Sequence, residues 1–280
     1  MNIINVTNWE LDEEKHISGT RQKFWLKHPS ENQIYMFKVP KENTGEVWAE
    51  KIVSDLGKVL GLNMMDVSIA KHNDMFGSLA KNFREETEIF YEGGDLFYSI
   101  FEDFDRFNLK YYDIANILDI LKGYNLERRF LQIPIFDTFV ANQDRHCDNW
   151  GIIYRDNSYD LSPIYDNGAS LGYQLEPSHI INMLKNGQMF TAFSNRSRSL
   201  IGLSGKRKPK SLDLLSWIRR RFPYEVKEEF ERINMVDQPM VESIISPIPQ
   251  EAMDDIYKEW VVKLLLYRKE WLLGWEKGGI

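Results

Sequence analysis

Two carboxylates and an amide oxygen recur within a short span: Asp144 and Asn149 in Ala141-Asn-Gln-Asp-Arg-His-Cys-Asp-Asn149, and Asp166 in Leu161-Ser-Pro-Ile-Tyr-Asp-Asn-Gly168. Phosphoryl transfer calls for such a set. Mg²⁺ takes hard oxygen ligands, only one or two of them carboxylates, and a further carboxylate must stand near the acceptor hydroxyl. Each residue taken singly is ordinary turn chemistry, since Asp, Asn and Gly favour turns. Their order, with an apolar helix leading in and a hairpin between, favours the phosphoryl-transfer reading. Asp166-Asn-Gly168 further predicts a sharp turn in which Gly168 supplies the permissive backbone.

Other candidates are weaker alone. Lys38 lies in a predicted strand, where a lysine is usually solvated. Glu50 falls off the centre of its helix's apolar stripe, which suits either a surface charge or a helix edge facing a nucleotide cleft. Ser18-Gly19-Thr20 precedes the first expected strand, Lys23 to Lys27, where backbone N–H groups could cradle phosphate and Lys23 could add positive charge. His146 has no Ser or Cys nucleophile motif beside it and is expected to orient the loop. Cys147 reads as a small filler residue. No zinc-like spacing accompanies the five histidines and single cysteine, which disfavours a metal hydrolase.

The elements that must position these groups follow from periodicity. Lys23 to Lys27 and Gln33 to Val39 are rich in aromatic and β-branched residues and predict strands; Val67 to Ala70 and Gly77 to Phe83 predict two more. Between them, Trp48, Ile52, Leu56, Val59 and Leu60 recur at helical spacing, with Gly61 as a stop. Past Phe83 helix takes over: Tyr111 to Tyr124, Leu126 to Phe139, Leu212 to Arg221, Tyr224 to Ile233 and Ala252 to Trp275 are apolar-periodic, and a hairpin spans Trp150 to Leu161. The expected organisation is an α+β chain with a β-rich part over residues 1–83 and a mostly helical part over 84–280. Residues 195–210 hold Arg196, Arg198, Lys206, Arg207, Lys208 and Lys210 without an acidic residue and predict an exposed loop. Its functional reading is contact with an acidic partner or phosphate.

Composition narrows the classes. The 280 residues, 43% hydrophobic and 13% aromatic, can bury a sizeable core. A net charge of −7 is the wrong balance for neutralising nucleic-acid phosphates, so no direct nucleic-acid binding is expected. One cysteine excludes an intrachain disulfide framework. The N-terminus lacks signal-peptide order, and the apolar stretches are too short and interrupted for a membrane span. The expectation is a cytoplasmic protein, or one exported without a cleaved signal peptide.

Together these motifs resemble the HipA-type serine/threonine kinases, and within them the short CtkA-type members. Ile17-Ser-Gly-Thr-Arg-Gln-Lys23 is similar to that family's Ser-Gly-x-x-x-Lys phosphate loop. Lys38 in Tyr35-Met-Phe-Lys-Val-Pro40 matches its strand lysine, and Glu50 its helix glutamate. Asn142 to Asn149 fits Asn-x-Asp-x-His-x-x-Asn, and Pro163-x-Tyr-Asp166 fits the metal segment. The resemblance implies a two-lobed protein-kinase-like fold with ATP and Mg²⁺ between the lobes. It makes Asp144 the catalytic carboxylate, Asn149 and Asp166 the metal ligands, and His146 a supporting residue. Ser18, Gly19, Lys23, Lys38, Glu50 and backbone groups near Lys81 and Phe83 would bind the nucleotide. A Lys38–Glu50 ion pair would hold the ammonium toward the phosphates. It further implies a protein substrate with a Ser or Thr acceptor, an antitoxin-like regulator, and autophosphorylation, with Ser18 and Ser197 as candidates. Asp148 departs from the pattern, standing where several family members carry lysine. The Asp-Arg-His-x-x-Asn form also occurs in phosphoinositide kinases, so a lipid kinase, a pseudokinase and a kinase toxin are the alternatives.

Overall fold

The computed structural model describes residues 1–13 and 22–278. Its first layer is a six-stranded sheet with spatial order β1-β5-β6-β4-β3-β2. The strands are β1 (Ile4–Asn5), β2 (Glu10–Leu11), β3 (Lys23–Lys27), β4 (Ile34–Lys38), β5 (Val67–His72) and β6 (Met75–Lys81). All pairings are antiparallel except β1 with β5. The two faces of these strands differ in what they carry. Leu26, Phe37, Ala70 and Leu79 point to one side and, with Val6, form a small core, while Lys38 points to the other. On β3 and β4, Lys23 is directly opposite Lys38.

Helix α1 (Glu46–Val59) packs against β5 and β6 and buries Trp48, Ile52, Val53 and Leu56. Gly61 ends it, as expected: its φ is +77°, and Leu62 N–H returns to Gly57 O at 2.9 Å. The chain after the stop is bonded to the second lobe, with Met65 N–H donating to Ile164 O at 3.0 Å and Ile164 N–H to Asn63 O at 2.8 Å. From the opposite direction, Arg232 Nη1 donates to Leu60 O at 3.1 Å.

The second lobe begins with β7 (Ile89–Glu92), which joins the hairpin β8 (Gly151–Arg155) and β9 (Ser158–Leu161) in a three-stranded sheet. Helices α2 (Gly93–Tyr98), α3 (Ile114–Lys122), α4 (Glu127–Phe130) and α5 (Gln132–Val140) lie before the hairpin. After it come α6 (Pro177–Lys185), α7 (Gly187–Ser194), α8 (Ser211–Arg221), α9 (Pro223–Asn234), α10 (Gln238–Ile245) and α11 (Asp255–Glu276). Their core is continuous with the inner face of α1 through residues such as Phe130, Phe139, Trp150 and Trp260.

Three departures from the sequence expectation have local causes. The periodic segment 126–139 is two helices, broken at Leu131, with Pro134 in the first turn of α5 where its missing N–H is tolerated. Helices α6, α7 and α10 are short and were not anticipated, although Pro177 and the Asp237 cap with Pro239 are helix-start signals. Residues 195–210 are no open loop but a folded ribbon. Arg198 bridges Lys210, Leu203 bridges Lys206, and Ser204 and Gly205 turn at φ of 51° and 77°. Ser197, Ile201 and Pro209 are buried beneath it.

Gly77 sits where β6 crosses Phe37. A β-carbon there would come within 2.4 Å of the Phe37 ring and 2.7 Å of Lys38 O. Gly77→Val should therefore lower stability by about 1–3 kcal/mol through overpacking, read as a reduced midpoint in urea unfolding, and should displace the strand that carries Lys38.

Candidate active site

Arg145, 1% exposed, organises the site. Its guanidinium grips Asp137 of α5 in a two-pronged pair, Nε to Oδ2 at 2.9 Å and Nη2 to Oδ1 at 2.7 Å. Its remaining N–H groups reach Asn149 O at 2.8 Å, Tyr165 O at 2.7 Å and Asn167 Oδ1 at 2.7 Å. All five donors of the fork are engaged, which fixes the segments on either side of the hairpin relative to each other. Asn142 adds to this frame: its Nδ2 donates to Asp137 Oδ1 at 3.1 Å, and its Oδ1 accepts from Asp144 N–H at 3.0 Å.

Held in this way, the predicted residues converge. Asn149 Nδ2 donates to Asp144 O at 2.9 Å, leaving its amide oxygen as the group able to face a cation. Asp166 pairs with Lys38 Nζ across the lobes. Asp144 is exposed on one side and crowded on the other; desolvation, then the charge of Asp166, raises its carboxyl above the ordinary value. At Asp166 desolvation opposes ionisation, but Lys38, Lys23 and Arg145 outweigh it and the carboxyl titrates lower than usual. Burial works against the charge on Lys38, yet Asp166 and Glu50 overcome it and hold the ammonium strongly protonated. Lys23 is shifted down, by burial first and by Lys38 as well, with Asp166 acting the other way. Two lysines directly opposite on adjacent strands repel each other, an arrangement suited to a polyanionic ligand.

Glu50 is 4% exposed and takes a different part from the one the resemblance implied. Lys38 pairs with Asp166, while Glu50 lies against the 166–168 turn, 3.4 Å from Asn167 Nδ2, where the nearby backbone N–H groups of Asn167 and Gly168 favour its charged form. Its burial, and next the charge of Asp166, raise its carboxyl. The turn at 166–168 is also built otherwise than expected. Asp166 itself adopts the left-handed conformation, φ 56°, and Gly168 serves close approach, since a β-carbon there would meet Glu46 O at 3.3 Å and Glu50 Oε2 at 3.4 Å. The left-handed residue swings the carboxylate toward Lys38 and presents the next two amides to Glu50.

The remaining candidates divide. Lys81 N–H is bonded to Asp66 O at 2.9 Å, so of its backbone groups only the carbonyl could serve adenine. The Phe83 ring packs on Phe90 and Tyr165, with centroids 5.4 and 5.7 Å away, joining the segment after β6 to the residue before Asp166. His146 Nε2 lies 2.9 Å from Arg106 O and its Nδ1 3.4 Å from Asp148 Oδ2, away from the cleft. Arg106 in turn binds Glu92, Asp95 and Asp148, which accounts for the acidic residue at 148. Cys147 is fully buried, and that burial pushes its thiol up, as suits a packing residue. Ser197 is 6% exposed, with its hydroxyl 2.8 Å from Ser211 Oγ and 3.3 Å from Arg268 Nη2, so phosphorylation there would require the ribbon to open. Ser18 and Gly19 lie outside the described residues. Asp137, Arg145 and Asn167 were not singled out in the sequence. The available signal was Asp137, a lone acid inside an otherwise apolar helix.

A sheet-bearing lobe with one helix, a helical lobe carrying the Asp144–Asn149 loop and the Asp166 turn, and a Lys38–Asp166 pair between them define a two-lobed protein-kinase-like fold of the α+β class. A family model, the HipA-like C-terminal domain, matches residues 16–237, and the chain belongs to that family. It is similar to the serine/threonine-protein kinase CtkA of Helicobacter pylori, 25% identical over 96% of this chain and 86% of that protein. The crystal structure of a Helicobacter pylori proinflammatory kinase CtkA superposes with a TM-score of 0.82 at 22% identity, over 96% of this chain and 94% of the other. HipA of Shewanella oneidensis, in its complex with HipB and operator DNA, gives 0.64 at 15% identity, over 94% of this chain and 66% of that one.

Two measurements check the geometry. Arg145→Met should cost about 3–5 kcal/mol, because it leaves Asp137 buried without its partner, and Arg145→Met/Asp137→Leu should regain part of that in urea unfolding. For His146, the hydrogen bond to Asp148 is the largest influence and raises the imidazole above 6.5, against desolvation. Because the folded value is the higher one, its stabilising contribution should be complete below pH 6.5 and fade as pH rises through the folded value. Comparing the thermal midpoints of wild type and His146→Gln across that range reads the effect.

Proposed function

We propose that the protein is an ATP- and Mg²⁺-dependent serine/threonine protein kinase. The observation that carries this reading is the convergence of Lys38 and Asp166 across the lobes with Asn149 hydrogen-bonded to the Asp144 loop. The kinase name of the Helicobacter pylori relative supports it.

The donor set suits Mg²⁺: a strongly ionised carboxylate at Asp166 and a free amide oxygen at Asn149 are hard oxygens, and together they leave room for phosphate and water ligands. Bound there, the ion would neutralise charge on the β- and γ-phosphates. The chain's own residues do the rest. Lys38 and Lys23 hold phosphate oxygens by charge. Glu50 fixes the backbone of Asn167 and Gly168 and so the direction of Asp166. Asp144 orients the acceptor hydroxyl and receives its proton as the hydroxyl oxygen bonds the γ-phosphorus and the bond from that phosphorus to the β–γ bridging oxygen breaks, releasing ADP. Its raised carboxyl makes it a better proton acceptor than an ordinary aspartate. Adenine would be met by the Lys81 carbonyl and the backbone near Phe83.

Autophosphorylation, with Ser18 favoured over the buried Ser197, and control by an antitoxin-like regulator extend this reading. The HipA–HipB complex of the structural neighbour motivates the second. Growth arrest on expression, relieved by Asp144→Ala, would support a toxin role. No helix among the described residues is long and apolar enough to cross a membrane.

Asp144→Asn should lower label transfer from γ-labelled ATP by about 10²- to 10⁴-fold while nucleotide affinity is kept. Asp166→Ala should abolish Mg²⁺-dependent nucleotide binding, measured by calorimetry. Equal transfer by wild type and Asp144→Asn would refute the assignment.

A further inference from the structure

We propose that the basic ribbon, residues 195–210, is the acceptor-recognition surface of the kinase reaction above, on which this inference rests, and that it selects a Ser or Thr flanked by acidic residues. Arg196, Arg198, Lys206, Arg207, Lys208 and Lys210 are all exposed, and no acidic residue interrupts them. Among the described residues none of these six is ion-paired, whereas Lys38, Lys58, Arg106 and Arg145 each have a carboxylate. The chain as a whole carries −7, so this cationic ribbon stands out against an acidic molecule. An acidic peptide would be repelled by most of the surface and attracted here.

Position ties the ribbon to the chemistry. Gly202 N–H donates to Tyr112 O at 3.0 Å, and Ile114 N–H to Gly202 O at 3.1 Å. The same Tyr112 sends its hydroxyl to Arg145 O at 3.0 Å, next to Asp144. The ribbon is also preformed. Arg198 Nη1 donates to Lys208 O at 2.8 Å, Lys208 is held in the left-handed region at φ 48°, and Leu203 and Lys206 exchange backbone hydrogen bonds at 3.0 and 2.9 Å. Beneath it Arg268, fully buried, bonds the carbonyls of Phe139, Ser194 and Thr138 as well as the Ser197 hydroxyl. A fixed backbone reduces the ordering cost of binding. A peptide fits better than a duplex or a bilayer, because the charges lie within one short ribbon that Tyr112 links to the loop carrying Asp144.

The test uses three fluorescent peptides with one central serine and acidic, neutral or basic flanks. The wild-type full chain should bind the acidic peptide at least about tenfold more tightly than the neutral one, and this preference should weaken steeply as salt rises. Lys206→Glu/Arg207→Glu/Lys208→Glu should erase the preference or turn it toward the basic peptide. A thermal transition and nucleotide-analogue affinity near wild type would show that the variant is folded. Equal binding of the three peptides by wild type, or no salt dependence, overturns the proposal without reference to any variant. So does a reversal that leaves the acidic preference intact and removes binding only of an oligonucleotide or of vesicles containing phosphoinositide. Label transfer from γ-labelled ATP separates the two readings: preference in binding with no transfer to any peptide sinks the kinase reading alone, and transfer without preference sinks the ribbon alone.

Discussion

The pair between Arg145 and Asp137 is the contact on which the site depends. A guanidinium and a carboxylate taken out of water together cost much desolvation, and the cost is met only when every donor and acceptor is satisfied. Here the fork uses its remaining donors on Asn149, Tyr165 and Asn167. The requirement to satisfy one buried cation therefore brings together the Asp144–Asn149 loop and the Asp166 turn, which the β8–β9 hairpin separates in the chain. Removing either charge would leave the other stranded in the core, so the geometry of the site and the stability of the lobe are linked.

A second coupling runs between the lobes. Asp166 takes a left-handed backbone, which turns its carboxylate to Lys38 and its following amides to Glu50. The strand lysine and the helix glutamate thus meet the same short turn from two sides instead of meeting each other. Helix α1 is fixed at its far end as well, by Arg232 on Leu60 O and by the bonds between 63–65 and Ile164. Glu50, which faces the 166–168 turn, is consequently carried on a helix tied to both lobes.

Much of the outline was legible in the chain. Aromatic and β-branched content gave the strands bearing Lys23 and Lys38, helical spacing gave α1 with Gly61 at its end, and the two oxygen-rich motifs flanked a hairpin. Each of these signals is local, arising from side-chain periodicity or from a residue's own backbone preference. Other features left little local trace. Glu50 read as off the apolar stripe, yet it is buried, because it packs against the 166–168 turn far along the sequence. Residues 195–210 read as a solvated loop because their charges are exposed; the groups that fold them, Ser197, Ile201, Pro209 and Arg268, reveal their role only in contact with one another.

By itself the sequence determined the kinase-like order of elements, the pair of oxygen-rich motifs around a hairpin and the concentration of cations in one stretch. All are properties of residue type and near-neighbour spacing. The tertiary structure alone decided which carboxylate takes Lys38, which residue of the 166–168 turn is left-handed, and that the cationic stretch is a folded ribbon bonded to Tyr112. These outcomes depend on competition among distant partners for the same charge or hydrogen bond, and such competition is resolved only once packing brings the partners within a few ångströms.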